Sequence, residues 1–329
     1  VPIGVRTGAA TSSTCPIVVA SIVAGDITIN CNGSDYIVAP TAIGTDAPAG
    51  HPKNGLQAGF VGSTAITGLS AGRRYTYTAT QGTNSVSGSF STMPAANSDF
   101  AFYFGSCDCN NAFNSDLFDS WIRWGHWKWI RQYMQSADGL PVAGILFVDD
   151  HGYVSKMNVD DTGGTGHITA SEPNAATLPA NVCQYDYALA YLCNLGLLQN
   201  VDVGEVAKAQ VRFGRDEDRV WCAQNLNYWP QWGDWEFAND IGWDKPTQTS
   251  MTLGGMKEKY DAGKAVWDRI MGPLQPSAFG TKLAGTNLWS MTVGLVTIVA
   301  PDYITNADGT FGSFFSDSPV ISFYERSFM

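Results

Sequence analysis

Positive charge is in short supply. Lys and Arg number 19 against 30 Asp and Glu in 329 residues, a formal net charge of -11. No Lys/Arg cluster stands out, and phosphate backbones are held through such clusters. Nucleic acid is therefore not an expected partner, although a small phosphate ester held through a metal remains compatible with this charge. Long apolar runs are also missing. The longest, around Val293–Ala300, is strand length, well short of the roughly 20 residues of a membrane-crossing helix. No membrane span is expected. Histidine is scarce, with only His51, His126, His151 and His167. That leaves few imidazoles for metal binding or proton transfer. There is no signal peptide, and the chain opens at Val1 rather than Met, so a processed product or a fragment is expected.

What is present reads as a packed globular protein. Apolar residues make up 44% and charged residues 15% of the chain, which is not the balance of a disordered one. Frequent Gly, Ser, Thr and Asn with little Lys suit an extracellular or surface-exposed protein (periplasm, cell surface or virion). The length allows two domains. Seven cysteines are spread over the chain. Cys15 with Cys31 is the first pairing expected, because both fall in one small β-rich region. Cys107 and Cys109 are too close in sequence to bridge comfortably. Asn32-Gly33-Ser34 matches a glycosylation acceptor.

Residues 1–95 look all-β, with Val/Ile/Thr/Tyr stretches such as Ile17–Val23, Ile27–Cys31 and Arg74–Thr80 separated by Gly, Asn and Ser turns. Tyr75 follows the Leu69–Arg74 turn at the spacing of a tyrosine corner, the signature of a β-sandwich similar to fibronectin type III. After a linker at Pro94–Ser98, residues 99–329 read as α/β. A strand at Phe100–Phe104 is followed by a helix over Asn114–Gln135, with Phe118, Trp121, Ile122 and Trp129 on its apolar stripe, then a strand at Ala143–Val148. Residues 155–182 read as a loop over the site. Helices are expected over Asp186–Leu198, Val203–Phe213 and Lys257–Met271, and one or two strands over Leu288–Val299.

Three polar clusters stand out. They are Ser106-Cys107-Asp108, Asp149-Asp150-His151-Gly152-Tyr153, and Asp234-Trp235-Glu236 with Asn239-Asp240. The first two directly follow strand-like runs. If the strands are parallel neighbours, the clusters converge at one sheet edge, where open α/β sheets carry their chemistry. Adjacent Asp149 and Asp150 repel unless a cation neutralises them. An Asp-rich turn is the plain alternative. Carboxylate and amide oxygens suit Ca²⁺, Mg²⁺ or Mn²⁺, whereas a thiolate with a phenolate suits trivalent iron.

The ordered set resembles the alkaline phosphatase D family of metallophosphoesterases. That family carries a strand ending in Ser-Cys, then Gly-Asp-Tyr-Ile-Tyr-Glu, then Trp-Asp-Asp-His-Glu-x-x-Asn, after a fibronectin-III-like domain. Here Phe104-Gly105-Ser106-Cys107, Asp149-Asp150-His151-Gly152-Tyr153-Val154 and Trp232-Gly233-Asp234-Trp235-Glu236-Phe237-Ala238-Asn239 stand in those places. Trp289–Asp302 resembles the strand before a later aspartate. The resemblance implies a metallophosphoesterase-like α/β (α+β) domain, truncated in its second half. It implies Fe³⁺ held by Cys107, Asp150 and Tyr153, and Ca²⁺ held by Asp150 and Asn239. Asp149 is a further carboxylate at the metal, and Asp150, Asp234 and His151 are the candidate catalytic residues for metal-assisted hydrolysis of a small phosphate ester. The departures are Asp149 for Gly, His151 and Gly152 for Tyr and Ile, Val154 for Glu, and Trp235 for the third-motif His. The family's late Gly-Asp-x-His block is missing.

Three readings therefore stay open: an active phosphoesterase; a non-catalytic scaffold with an assembly or adhesive role, as a homo-oligomer or larger assembly; and a plain adhesive or structural surface protein in which the acids are turns. Among the remaining candidates, His126 reads as a packed helical residue and His167 as a solvated one. Arg212, Arg215 and Arg219 are expected to pair with Asp216, Glu217 and Asp218 on a surface, and Tyr228, Trp229, Trp232 and Trp235 to be core.

Overall fold

The computed structural model describes residues 3–47, 49, 54–94, 98–105, 125–136, 140–148, 183–194, 197, 217–232, 253–276 and 289–300. The first eight strands are β1 (Ile3–Thr7), β2 (Cys15–Ser21), β3 (Ile27–Cys31), β4 (Ser34–Val38), β5 (Thr41–Ile43), β6 (Gly59–Ile66), β7 (Arg74–Gln81) and β8 (Asn84–Ser91). They form two four-stranded antiparallel sheets, in the orders β1-β2-β6-β5 and β4-β3-β7-β8. Alternation explains the second sheet. Ile27, Ile29 and Cys31 of β3 and Tyr77 and Ala79 of β7 point inward, while Thr28, Asn30 and Thr80 do not. Asn32-Gly33 closes β3 onto β4 as a two-residue loop, with φ of 52° and 77°. That positive-φ pair is what an Asn-Gly hairpin turn needs. The Tyr75 hydroxyl accepts a hydrogen bond from the Ser70 N–H at 2.8 Å, which is the tyrosine-corner contact the spacing predicts.

The other sheet does not alternate. Cys15, Ile17 and Val19 of β2 enter the core between the two sheets, and Val18 and Ala20 enter a second core on the opposite face. That second core belongs to the rest of the chain. It contains α1 (Gly125–Gln135), α2 (Gln184–Asn194), α3 (Glu217–Asn225) and α4 (Leu253–Ile270), together with one face of a parallel sheet. This sheet has the order β11-β10-β9, from β9 (Ala101–Gly105), β10 (Val142–Val148) and β11 (Tyr228–Gln231). Its opposite face packs on the antiparallel hairpin β12 (Trp289–Val293) and β13 (Val296–Ala300), through Ala143, Leu146 and Trp229 against Trp289, Met291, Val293 and Ile298. Trp267 of α4 is fully buried and makes edge-on contacts with Trp232 and Tyr191, ring centroids 4.9 and 5.9 Å away. Such pairs add about 0.5–1.5 kcal/mol to the burial itself.

Hydrogen bonds tie the two parts as well. Arg269 donates to Ala42 O and Thr41 O, and Tyr77 OH donates to Gln224 O at 2.9 Å. The Arg6 guanidinium lies 3.8 Å from the centre of the Tyr228 ring. Among the described residues no helix is long and apolar enough to cross a membrane.

Several expectations change. The buried stripe of α1 is Trp127 and Ile130, and Trp129 is 72% exposed. Arg219 is buried rather than on a surface, its guanidinium 6.0 Å from the centre of the Trp127 ring, and Asp218 pairs with Arg131 at 3.0 Å. Leu288–Val299 resolves into a hairpin. Cys15 and Cys31 share one core but keep free thiols, packing as small apolar groups. Val203–Phe213, the 155–182 stretch and residues 106–124 lie outside the described residues.

These buried acids set an alkaline limit. Burial, then the neighbouring Cys31, pushes the Cys15 thiol well up, and burial pushes up Cys31. Burial likewise raises the Tyr77 phenol. Each group is protonated more tightly folded than unfolded, so its stabilisation is complete below the unfolded value and fades as pH rises through the folded one. The melting temperature is expected to hold up to about pH 9 and fall above it. A Cys15→Ala/Cys31→Ala variant, melted across the same range, should show a shallower fall. An unchanged slope would mean that the thiols do not titrate in this way.

Candidate functional site

The parallel sheet fixes where the candidate residues leave the fold. β10 is the middle strand and is apolar on both faces, the pattern of a strand buried on both sides. It pairs parallel with both neighbours. Phe147 is level with Gly105 of β9, and Val148 with Gln231 of β11. Hydrogen-bonded strands lie about 4.8 Å apart. The three chains thus depart from one edge of the sheet, from points within about 10 Å of one another. It is the carboxyl edge, where open α/β sheets bind ligands.

The sequence then places polar clusters directly after those departures. Cys107 follows Gly105 by two residues, Asp149 and Asp150 follow Val148 by one and two, and Asp234 follows Gln231 by three. A chain reaches at most about 3.5 Å per residue. Cys107, Asp149, Asp150 and Asp234 are therefore tethered within about 7–11 Å of adjacent strand ends. His151 and Tyr153 are on longer tethers, and Asn239 is eight residues from its strand. All seven residues lie outside the described residues, as do Trp235, His167, Arg212, Arg215 and Asp302. His126 is in α1. Among the described residues no group of three or more His, Cys, Asp or Glu could hold a metal.

The structure also shows what carries these departures. Gly144 of β10 lies under the Trp229 indole, and a Cβ there would meet Trp229 Cε2 at 2.5 Å and Nε1 at 2.8 Å. The absent side chain lets the indole lie flat on the strand. Phe147 stacks on Tyr228 across the pair, centroids 5.8 Å apart. Tyr228, Trp229 and Trp232 are all buried, as core packing predicts. On β9 the Tyr103 phenol is pushed up to about 12, by burial first and then by Tyr133 and Cys222. Phe104, on the outer strand, is 68% exposed.

Sequence reasoning missed β11. Its four residues include Pro230, which weakens any strand assignment. The structure puts Pro230 at an edge and turns its carbonyl away from β10, towards Gln275 Nε2 at 3.3 Å and Trp289 Nε1 at 3.1 Å. N and O of one residue face the same side of a strand, so the missing N–H removes nothing from the β10 ladder. Tyr228-Trp229, two strong β-formers, was the available signal.

This arrangement of a parallel sheet, flanking helices and an opposed β-hairpin has a counterpart among solved structures. The likeness is to the solved structure of PhoD, with a TM-score of 0.53 and 13% identity, over 91% of this chain and 51% of that one. The purple acid phosphatase PPD1 from yellow lupin (Lupinus luteus) seeds gives a TM-score of 0.49 at 10% identity, over 99% of this chain and 47% of that one. The chain spans about half the length of these solved structures. No protein-family model and no curated protein matches the sequence.

Gly144→Ala should destabilise the fold by about 1–3 kcal/mol, the cost of forcing a methyl into a packed core. Urea unfolding of the variant measures it. A wild-type midpoint would show that the indole has room to retreat.

Proposed function

We propose that the chain is a metal-dependent phosphoesterase of the PhoD type, acting on small phosphate esters outside the cytoplasm. The observation that carries this is the register: three adjacent parallel strands end together, and each is followed within three residues by a candidate ligand or catalytic acid. The donor set fits a cation of the expected kinds, with Cys107 thiolate, Asp150 carboxylate and Tyr153 phenolate for Fe³⁺, and Asp150 with Asn239 for Ca²⁺. Asp149 adds a second carboxylate beside the first. Bound cations supply Lewis-acid polarisation of a phosphoryl oxygen and a water acidic enough to ionise near neutral pH. The chain's own part is to hold those donors at one edge and to place Asp234 and His151 against the ester, where His151 can exchange a proton with water or the leaving oxygen. The N-terminal unit is read as a fibronectin-III-like sandwich, on its two antiparallel sheets and the Tyr75 corner.

Trp235 supports a second reading. An indole has no acceptor lone pair and cannot take the place of a ligating histidine. A site without that histidine has one ligand fewer for its ions, and a silent scaffold that assembles with copies of itself is the consequence.

Elemental analysis of protein purified without chelators, with hydrolysis of a chromogenic phosphate mono- and diester, separates the two. Iron or calcium near stoichiometric, with turnover abolished by Cys107→Ala, is the expected result. Asp150→Ala should lose the metal, because that carboxylate would be a ligand of both ions. Metal without turnover favours the scaffold. Unchanged metal content in Asp150→Ala removes the proposed site.

A further inference from the structure

β11 is a poor strand to carry a functional residue. It has four residues and, among the described residues, pairs on one side only. Short single-sided strands do not hold their own position. The structure holds it from outside, and the contact at its start is made by Asn227. This residue is 2% exposed. Its side-chain Nδ2 donates to Ser91 O at 2.7 Å, and its Oδ1 accepts from the Ser91 N–H at 3.2 Å. That reciprocal exchange is the bonding of an antiparallel residue pair, with a side-chain amide standing in for one backbone. It occurs at the last residue of β8. The same residue's main-chain O accepts from Ile145 N at 2.8 Å. One side of Asn227 is therefore fastened to the N-terminal sandwich, and its backbone starts the ladder on β10.

The neighbouring contacts run the same way. Asn225 Oδ1 accepts from Ser89 Oγ at 2.8 Å, and Arg6 of β1 covers the Tyr228 ring. Asn227 goes further and joins the sandwich directly to the sheet's own hydrogen bonding. Asp234 follows it by seven residues, four of them in β11.

We infer that Asn227 is a positioning residue, through which the N-terminal sandwich sets the place of the third polar cluster at the sheet edge. The inference rests on the proposed metal site for its functional consequence, and on Asn227's paired bonds to Ser91 and its bond to Ile145 for its geometry. An amide sets a donor nitrogen and an acceptor oxygen side by side, matching the C=O and N–H of Ser91, whereas a carboxylate has no donor and an apolar side chain has neither.

The test compares Asn227→Ala with Asn225→Ala in the full chain. Asn225→Ala removes a bond to the same sandwich strand without touching the sheet, so it reports ordinary loosening of that contact. Two readouts are made: hydrogen exchange of peptides covering 226–232 and 15–21, and Ca²⁺ and Fe³⁺ affinity by chelator competition. Asn227→Ala should raise exchange over 226–232 by about tenfold and leave 15–21 protected, and Asn225→Ala should not. Metal affinity should fall about tenfold in Asn227→Ala, the usual effect of losing an outer support, and change by less than about twofold in Asn225→Ala. Unchanged exchange over 226–232, or an equal rise in both variants, overturns the positioning role. Wild-type metal affinity in Asn227→Ala overturns it too. If the wild-type chain binds neither ion, the metal reading fails on its own, and the exchange comparison still decides whether Asn227 sets the strand.

Discussion

A strand that is apolar on both faces has to be covered twice. β2 is such a strand, with Ile17 and Val19 on one side and Val18 and Ala20 on the other. The facing sheet of the sandwich covers the first set. Among the described residues, the helices and parallel sheet of the rest of the chain cover the second. An isolated sandwich would leave that face in water, at about 25 cal/mol for each Å² of apolar surface. The N-terminal unit is thus one wall of a shared core. The buried Arg6, lying on Tyr228, and the Arg269 bonds to the β5 backbone follow from the same docking.

Much of this was legible where local patterns agree with tertiary structure. Ile27–Cys31 alternates, and it is a strand with those bounds. The Tyr75 spacing gave a hydrogen bond five residues upstream. Ala143–Val148 is an unbroken apolar run because both of its faces are packed. The failures have one cause: partners distant in sequence. Nothing near Trp129 says that Trp127 takes the core. Arg219 sits in a charged stretch that reads as surface, yet it is buried, with a tryptophan from another helix beside it. Pro230 argues against a strand until the edge position is known. Of the site, the sequence showed which residue types cluster, but the level ends of Gly105, Val148 and Gln231 came only from the pairing register.

Strand ends and ligands are separate properties. A parallel sheet with level ends makes a place where loops converge, and any sequence with this core would make it. The ligands are supplied by residues after the ends, which the core does not constrain. That is why a chain can keep the PhoD fold at 13% identity while carrying Trp235 where the resembled motif has histidine. Fold likeness speaks for the platform, and the chemistry has to be established on Cys107, Asp150, Tyr153 and Asp234 themselves.

Pro230 gives the parallel sheet a direction of growth. On its outer side this residue offers no N–H, and its carbonyl is already taken by Gln275 and Trp289. A strand arriving there would find a missing rung and an occupied one. At the opposite border β9 carries no proline, and the Phe104 side chain stands open to solvent. Among the described residues, an additional strand would therefore meet a closed margin beside Pro230, whereas nothing in the β9 sequence removes a rung at the other border.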